Sequence, residues 1–206
     1  DMLRRRFPDD EEVGEYSEMI LEAQSRCLRL VEEMRGYARG RGHVMPAASL
    51  APLDLVELVG SVVRFLRFDK ECREVPMDLV ADGVALADVD SDRIKQVLIN
   101  LIRNAVQAMG AANVEAPEIH ISVDKDSSDM CCISVRDNGP GIPGELKARI
   151  FEPFFTTKDA DKGTGLGLSA VQGIILNHEG MLVTDTTPGA GTTFHVILPQ
   201  ARPDGL

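Results

Sequence analysis

The sequence predicts an α/β sandwich: a mixed, mainly antiparallel sheet covered on one face by helices, preceded by a long N-terminal helix. Three observations carry that reading. Segments of helical periodicity alternate with segments of strand character. The strands come in adjacent pairs joined by polar turns, as hairpins do. The strongest helix, 91–109, has one broad apolar face that needs a sheet to cover it.

Taken in order, the first element is a helix within residues 1–40. From Tyr16 the apolar positions run Ile20, Ala23, Cys27, Leu30, Met34 and Tyr37, alternating steps of four and three. That is the seam of a coiled coil or helix bundle, which calls for partner helices. Asp9 and Asp10 suit its N-cap, and Arg35 and Arg39 its C-terminal end. Gly40, Gly42 and Pro46 then open a linker, 41–52. A second unit, 53–200, begins with helical periodicity over 54–67 and a short strand over 75–80. In helix 91–109, Ile94, Val97, Leu98, Leu101, Ile102, Ala105 and Met109 share one face. Strands at 119–123 and 131–135 form a hairpin across the polar stretch 124–129. Residues 137–144 suit neither a helix nor an interior strand, because they hold three glycines and two prolines. A short helix near 145–150, a long loop over 152–167, a helix over 166–178 and a strand–turn–strand over 181–198 complete the unit, and 201–206 is a tail.

Composition narrows the function. The 206 residues are 44% hydrophobic and 27% charged, as in an ordinary globular chain, with a net charge of −11. That acidity argues against a nucleic-acid partner, since phosphate backbones call for clustered Lys and Arg. No apolar run approaches the roughly 18 residues of a membrane span, and no signal peptide is evident. Cys27, Cys72, Cys131 and Cys132 lack paired metal-ligand spacing, and the adjacent pair is a poor disulfide. Reduced thiols in the cytoplasm are therefore expected. The acid is unevenly spread. Residues 1–40 hold 10 acids and 7 bases, whereas 92–109 hold Asp92 against Arg93, Lys95 and Arg103, and 156–162 is neutral. An anionic ligand would therefore have to be held by something other than bulk charge.

Four stretches carry chemistry. Asn100 and Asn104 lie one turn apart on an otherwise apolar helix, so at least one amide should face a site. The loop Asp137-Asn138-Gly139-Pro140-Gly141 follows 33 residues after Asn104. Phe151-Glu152-Pro153-Phe154-Phe155 comes next, and then Gly163-Thr164-Gly165-Leu166-Gly167-Leu168 runs into a helix. Each alone is weak, a turn or a flexible loop. In this order and spacing the sequence resembles the ATP-binding catalytic domain of sensor histidine kinases, part of a superfamily with gyrase, heat-shock chaperone and mismatch-repair ATPases. The resemblance covers about residues 50–200.

The resemblance implies a role for each stretch. Asp137 would accept a hydrogen bond from the exocyclic amine of adenine, while Gly139 and Gly141 let the backbone approach the base. Asn104 would bind Mg²⁺ through its amide oxygen, with Asn100 in the metal or phosphate network. Gly163, Thr164, Gly165, Leu166, Gly167 and Leu168 would present N–H groups to the phosphates at the start of a helix. Lys158 and Lys162 could reach the phosphates from a lid-like loop. Thr192 and Thr193 fall where the family's terminal strand frames the adenine, and Thr193 is taken as the site residue. Where the ATPase branches carry a general-base Glu, this chain has Asn100, which favours kinase over hydrolase. Where many kinases carry a base three residues after the metal Asn, it has Gln107.

His43, His120, His178 and His195 match no phosphoacceptor box, and structural or solvent roles are expected for all four. Residues 11–39 resemble the second helix of the family's dimerisation and phosphotransfer hairpin, with 2–6 as the tail of the first. The acceptor His is then expected upstream of Asp1, in a longer, homodimeric and sometimes membrane-attached protein. The implied partners are ATP, Mg²⁺ and a response-regulator receiver domain. The alternatives are a degenerate nucleotide- or partner-binding module and a superfamily ATPase.

Overall fold

A computed structural model describes residues 50–125, 130–158 and 164–201. The N-terminal helix and nearly all of the linker, together with Cys27, His43, Lys162 and Gly163, lie outside the described residues.

The elements are β1 (Ala51–Asp54), α1 (Leu55–Leu66), β2 (Met77–Ala81), β3 (Leu86–Val89), α2 (Ser91–Ala111), β4 (Ile119–Lys125), β5 (Met130–Asp137), α3 (Gly167–Asn177), β6 (Met181–Thr187) and β7 (Gly191–Pro199). Five strands form one sheet in the order β2-β4-β5-β7-β6. Within this sheet β2 and β4 run parallel and the other neighbours are antiparallel. A parallel neighbour needs a crossover, and α2 lies within it. The helices pack against one face, so every strand from β4 to β7 that reaches the centre alternates buried and open positions. A single core joins Leu55, Leu66, Ile94, Leu98, Ile102, Ile121, Ile133, Ile175 and Val196.

The α/β sandwich with a mainly antiparallel sheet is therefore the fold. Two strands escape the sequence reading. β1 pairs antiparallel with β3 in a separate two-stranded sheet, fixed to the end of β7 by an Ala87–Gln200 bridge and by Ala201 N–H donating to Leu86 O. The helix expected near 145–150 is a 3₁₀ turn, Gly144–Leu146.

Caps set the helix starts that matter below. Asp54 Oδ1 accepts Val56 N–H at 2.9 Å and starts α1. Asp90 Oδ1 accepts the N–H groups of Asp92 and Arg93 and starts α2. Asp90's own N–H donates to His178 Nε2 at 3.1 Å, while His178 Nδ1 donates to Ile174 O at 2.8 Å. His178 is buried, and it ties the end of α3 to the start of α2. His120 and His195 stand on the open face of the sheet, bonded to Asp78 and Glu118 and to Ser134 and Asp185 respectively. The described histidines thus have structural or surface roles.

Candidate functional site

Two clusters meet along α2. The first is built where β5 ends. Asp137 is buried, and its Oδ1 accepts Gly139 N–H at 2.9 Å and Thr192 N–H at 3.2 Å. Among the described residues no donor reaches Oδ2, so one carboxylate oxygen is fixed and the other is available. Burial pushes this carboxyl above the ordinary carboxylate value, and the two N–H groups oppose that rise. The surrounding backbone is close enough to exclude side chains. Gly141 has φ +70 and Gly191 φ +96, and a Cβ on either would collide with a carbonyl, that of Thr187 or of Asp137. A Cβ on Gly139 would come within 2.8 Å of Asp137 Oδ1 and 3.1 Å of Met109 on α2. Ile142 N–H donates to Thr186 Oγ1 at 2.8 Å, and Asn138 bonds Ala116 O and Glu118 N–H, so the loop is tied on both sides.

Strand parity corrects one expectation. Asp137 pairs with Thr192 and Arg136 with Thr193. Thr192 therefore shares the helix-covered face with Asp137, and its Oγ1 lies 3.0 Å from Thr186 Oγ1. Thr193 is on the other face, beside Arg136, and is not part of this cluster.

The second cluster lies one to two turns back along α2. Asn100 Nδ2 donates to Gly167 O over a long 3.4 Å, and Gly167 opens α3, also standing beside Asn104. No side chain caps α3, which leaves its first N–H groups turned toward this region. Lys158 Nζ donates to Gln107 Oε1 at 2.6 Å and, more weakly, to Asn104 Oδ1 at 3.4 Å. Gln107 Nε2 in turn donates to Glu71 Oε2 at 3.2 Å. Next to them, Arg103 bonds Asp69 at 2.6 Å. Burial works against ionising Asp69, but the Arg103 hydrogen bond, the Glu71 N–H and the Arg103 charge hold its carboxyl below the usual value. Buried Cys72, beside Asp69, is pushed up to about 12 by burial and by that carboxylate.

The glycine-rich stretch joins the rest through a backbone pinch. Phe154 (φ +67) donates its N–H to Gly165 O at 2.9 Å. Gly165 has φ +68, and a Cβ there would strike the Phe154 backbone. Thr164 Oγ1 accepts Leu166 N–H, Leu166 is buried, and Leu168 packs against the core. Asn100, Asn104, Lys158 and Gly167 are thus brought together, as are Asp137, Gly139 and Gly141. Sequence reasoning named Thr192 but chose Thr193 over it, and it missed Glu71 and the seat that Gln107 makes for Lys158.

This geometry fits the comparisons with known proteins. Residues 89–202 match the family described as "Histidine kinase-, DNA gyrase B-, and HSP90-like ATPase". The chain belongs to that family. Its sequence relatives are sensor histidine kinases: it is 33% identical to the sensor histidine kinase ZraS of Klebsiella oxytoca over 94% of this chain and 40% of ZraS. It is 40% identical to the sensor kinase CckA of Brucella abortus over 88% of this chain and 20% of CckA. The chain therefore spans less than half the length of these relatives. Among solved structures, full-length ShkA in complex with AMPPNP matches with a TM-score of 0.80 at 26% identity, over 93% of this chain and 40% of ShkA. The catalytic domain of the histidine kinase ThkA matches with a TM-score of 0.63 at 36% identity, over 73% of this chain and 95% of that domain. ThkA in complex with the response regulator protein TrrA matches with a TM-score of 0.69 at 29% identity, over 97% of this chain and 55% of that one. Within its family, the chain is a catalytic domain of the sensor histidine kinase kind. Among the described residues no helix is long and apolar enough to cross a membrane.

Proposed function

We propose that this domain binds ATP with Mg²⁺ and presents the γ-phosphate to a phosphoacceptor His on another segment, for onward transfer to an Asp of a response regulator. The observation that carries the proposal is the Asp137 carboxylate, buried, with one oxygen locked by two N–H groups and the other available. Adenine offers a donor amine where guanine offers a carbonyl, so an acceptor-only group there selects ATP over GTP. The AMPPNP held by ShkA and the regulator bound to ThkA support the same reading.

The phosphate end supports it too. Asn104 Oδ1 already faces a cation, the Lys158 ammonium, so its oxygen is directed where a metal would sit. Asn104 would hold Mg²⁺, with Asn100 nearby; when bound, the ion would neutralise charge on the phosphates. The uncapped start of α3, at Gly167 and Leu168, and the N–H groups of Thr164 to Leu166 would hold phosphate oxygens, with Gly163 preceding them. Lys158 would add a mobile positive charge. Asn100 cannot act as a general base, and its Nδ2 is turned to Gly167 O, so rapid hydrolysis is not expected. His178 has both ring nitrogens bonded, and His120 and His195 stand on the face opposite Asp137; the acceptor is not among the described histidines.

Titration with ATP and GTP, with and without Mg²⁺, tests the proposal. ATP should bind far more tightly than GTP, and Asn104→Ala should abolish the gain from Mg²⁺. Equal binding of the two nucleotides, or of neither, would overturn it. Labelled ATP should leave no acid-labile phosphate on the chain alone, and should label an added phosphotransfer hairpin.

A further inference from the structure

The position three residues after Asn104 carries no positive charge of its own, yet a positive charge is there. Lys158 comes across from the loop and places its ammonium 2.6 Å from Gln107 Oε1. The direction of the Gln107 amide is set from behind. Glu71 has only acceptor oxygens, and Gln107 Nε2 donates to one of them at 3.2 Å. The amide's oxygen must then face the other way, toward Lys158. Beside it, the Lys158 backbone N–H donates to Thr156 Oγ1 at 3.1 Å. From this seat the same ammonium reaches Asn104 Oδ1 at 3.4 Å.

We propose that Gln107, aimed by Glu71, is a positioning residue that seats Lys158 over Asn104, so that the loop lysine holds the place of the divalent cation and must be displaced when metal–nucleotide binds. This rests on the nucleotide reading above. An amide oxygen that accepts from an ammonium cannot also coordinate a divalent ion at the same spot, because the two cations repel. The lysine must leave Asn104 as the metal arrives, and the phosphates that come with the metal are its next partner. Gln107 therefore sets how readily the site exchanges one cation for the other, without touching nucleotide itself.

The test measures binding, not turnover, by displacement of a fluorescent nucleotide. The ligands are Mg²⁺–ATP and adenosine, which has no phosphates. Gln107→Ala removes the seat and should tighten Mg²⁺–ATP about fivefold, the scale of one charge-assisted hydrogen bond offset by solvent. Adenosine affinity should stay within about twofold. Glu71→Ala should shift Mg²⁺–ATP in the same direction by about twofold, since it only releases the amide. In a Lys158→Met background Gln107→Ala should have no effect, because its action passes through the lysine. Weaker Mg²⁺–ATP binding by Gln107→Ala would overturn the proposal, as would a gain that persists without Lys158 or a parallel change for adenosine. If the wild-type domain binds neither adenosine nor ATP, the nucleotide reading fails first and the seat fails with it.

Discussion

The two ends of the site are built by different means. Around Asp137 the parts are backbone: paired strands, three glycines, and N–H groups aimed at one carboxylate oxygen. Around Asn104 the parts are long side chains (Lys158, Gln107, Glu71) that hold one another and can change partners. On the reading proposed above, the first end would discriminate a flat, rigid base, because nothing there has room to adjust. The second can receive a variable number of charges because its contacts are exchangeable. The acids show the same contrast. Burial raises Asp137, whereas Arg103 holds Asp69 down despite burial.

That comparison can be broken from the rigid side first. Gly191→Ala should be the most damaging single change, because a Cβ there meets the Asp137 carbonyl at φ +96. A loss of about 3 kcal/mol or more is expected in urea unfolding, together with loss of nucleotide binding. Full stability would show that the Asp137 end has slack. Asp137→Asn keeps the shape and the fixed oxygen but puts a donor at the available position. ATP affinity should fall about 100-fold. Stability should rise instead. A carboxyl with a raised folded-state pKa loses stability as pH climbs past its unfolded value, so the variant gains most at neutral pH and nothing in acid. Thermal melts at pH 7 and pH 3 read that sign.

Asp69→Asn carries the opposite sign at the other end. A lowered carboxylate contributes stability above its ordinary value of 3.8 and loses it as pH falls below. The variant should lose about 1 kcal/mol at pH 7, with the gap to wild type closing below pH 3.8. A constant gap would show that the Arg103 pair is not the cause. The smallest effect on the fold is expected for Gly167→Ala, whose Cβ would meet only Asn104 Nδ2 at an ordinary 3.7 Å. The melting temperature should hold, while phosphate-bearing nucleotides lose affinity and adenosine does not. Loss of both would place Gly167 in the fold rather than at the phosphates.

How legible these parts were in the sequence follows from how local their causes are. α2 could be read because its apolar positions recur on one face, and the hairpins because polar turns separate alternating runs. β1 and β3 could not: each is four residues long, one contains Pro52, and they pair with each other outside the five-stranded sheet. Thr193 was chosen over Thr192 without using a signal that was present. Phe194, Val196 and Leu198 alternate as apolar, buried positions of β7, and counting back by two reaches Thr192, not Thr193. The Lys158 seat left no such trace. It needs residue 71, a helix and a loop to converge, and nothing in the spacing of 71, 107 and 158 announces that.

The pinch between Phe154 and Gly165 has a consequence for the chain it encloses. Two left-handed residues, φ +67 and φ +68, clamp the ends of a ten-residue segment, 155–164, against each other. The entropy of closing a loop depends on the logarithm of its length, so doubling the segment would cost only about 0.6 kcal/mol. The clamp thus separates two design problems. The base fixes where Gly167 and α3 begin, so a change in the length of the intervening sequence is expected to leave the sheet and the Asp137 end unaltered.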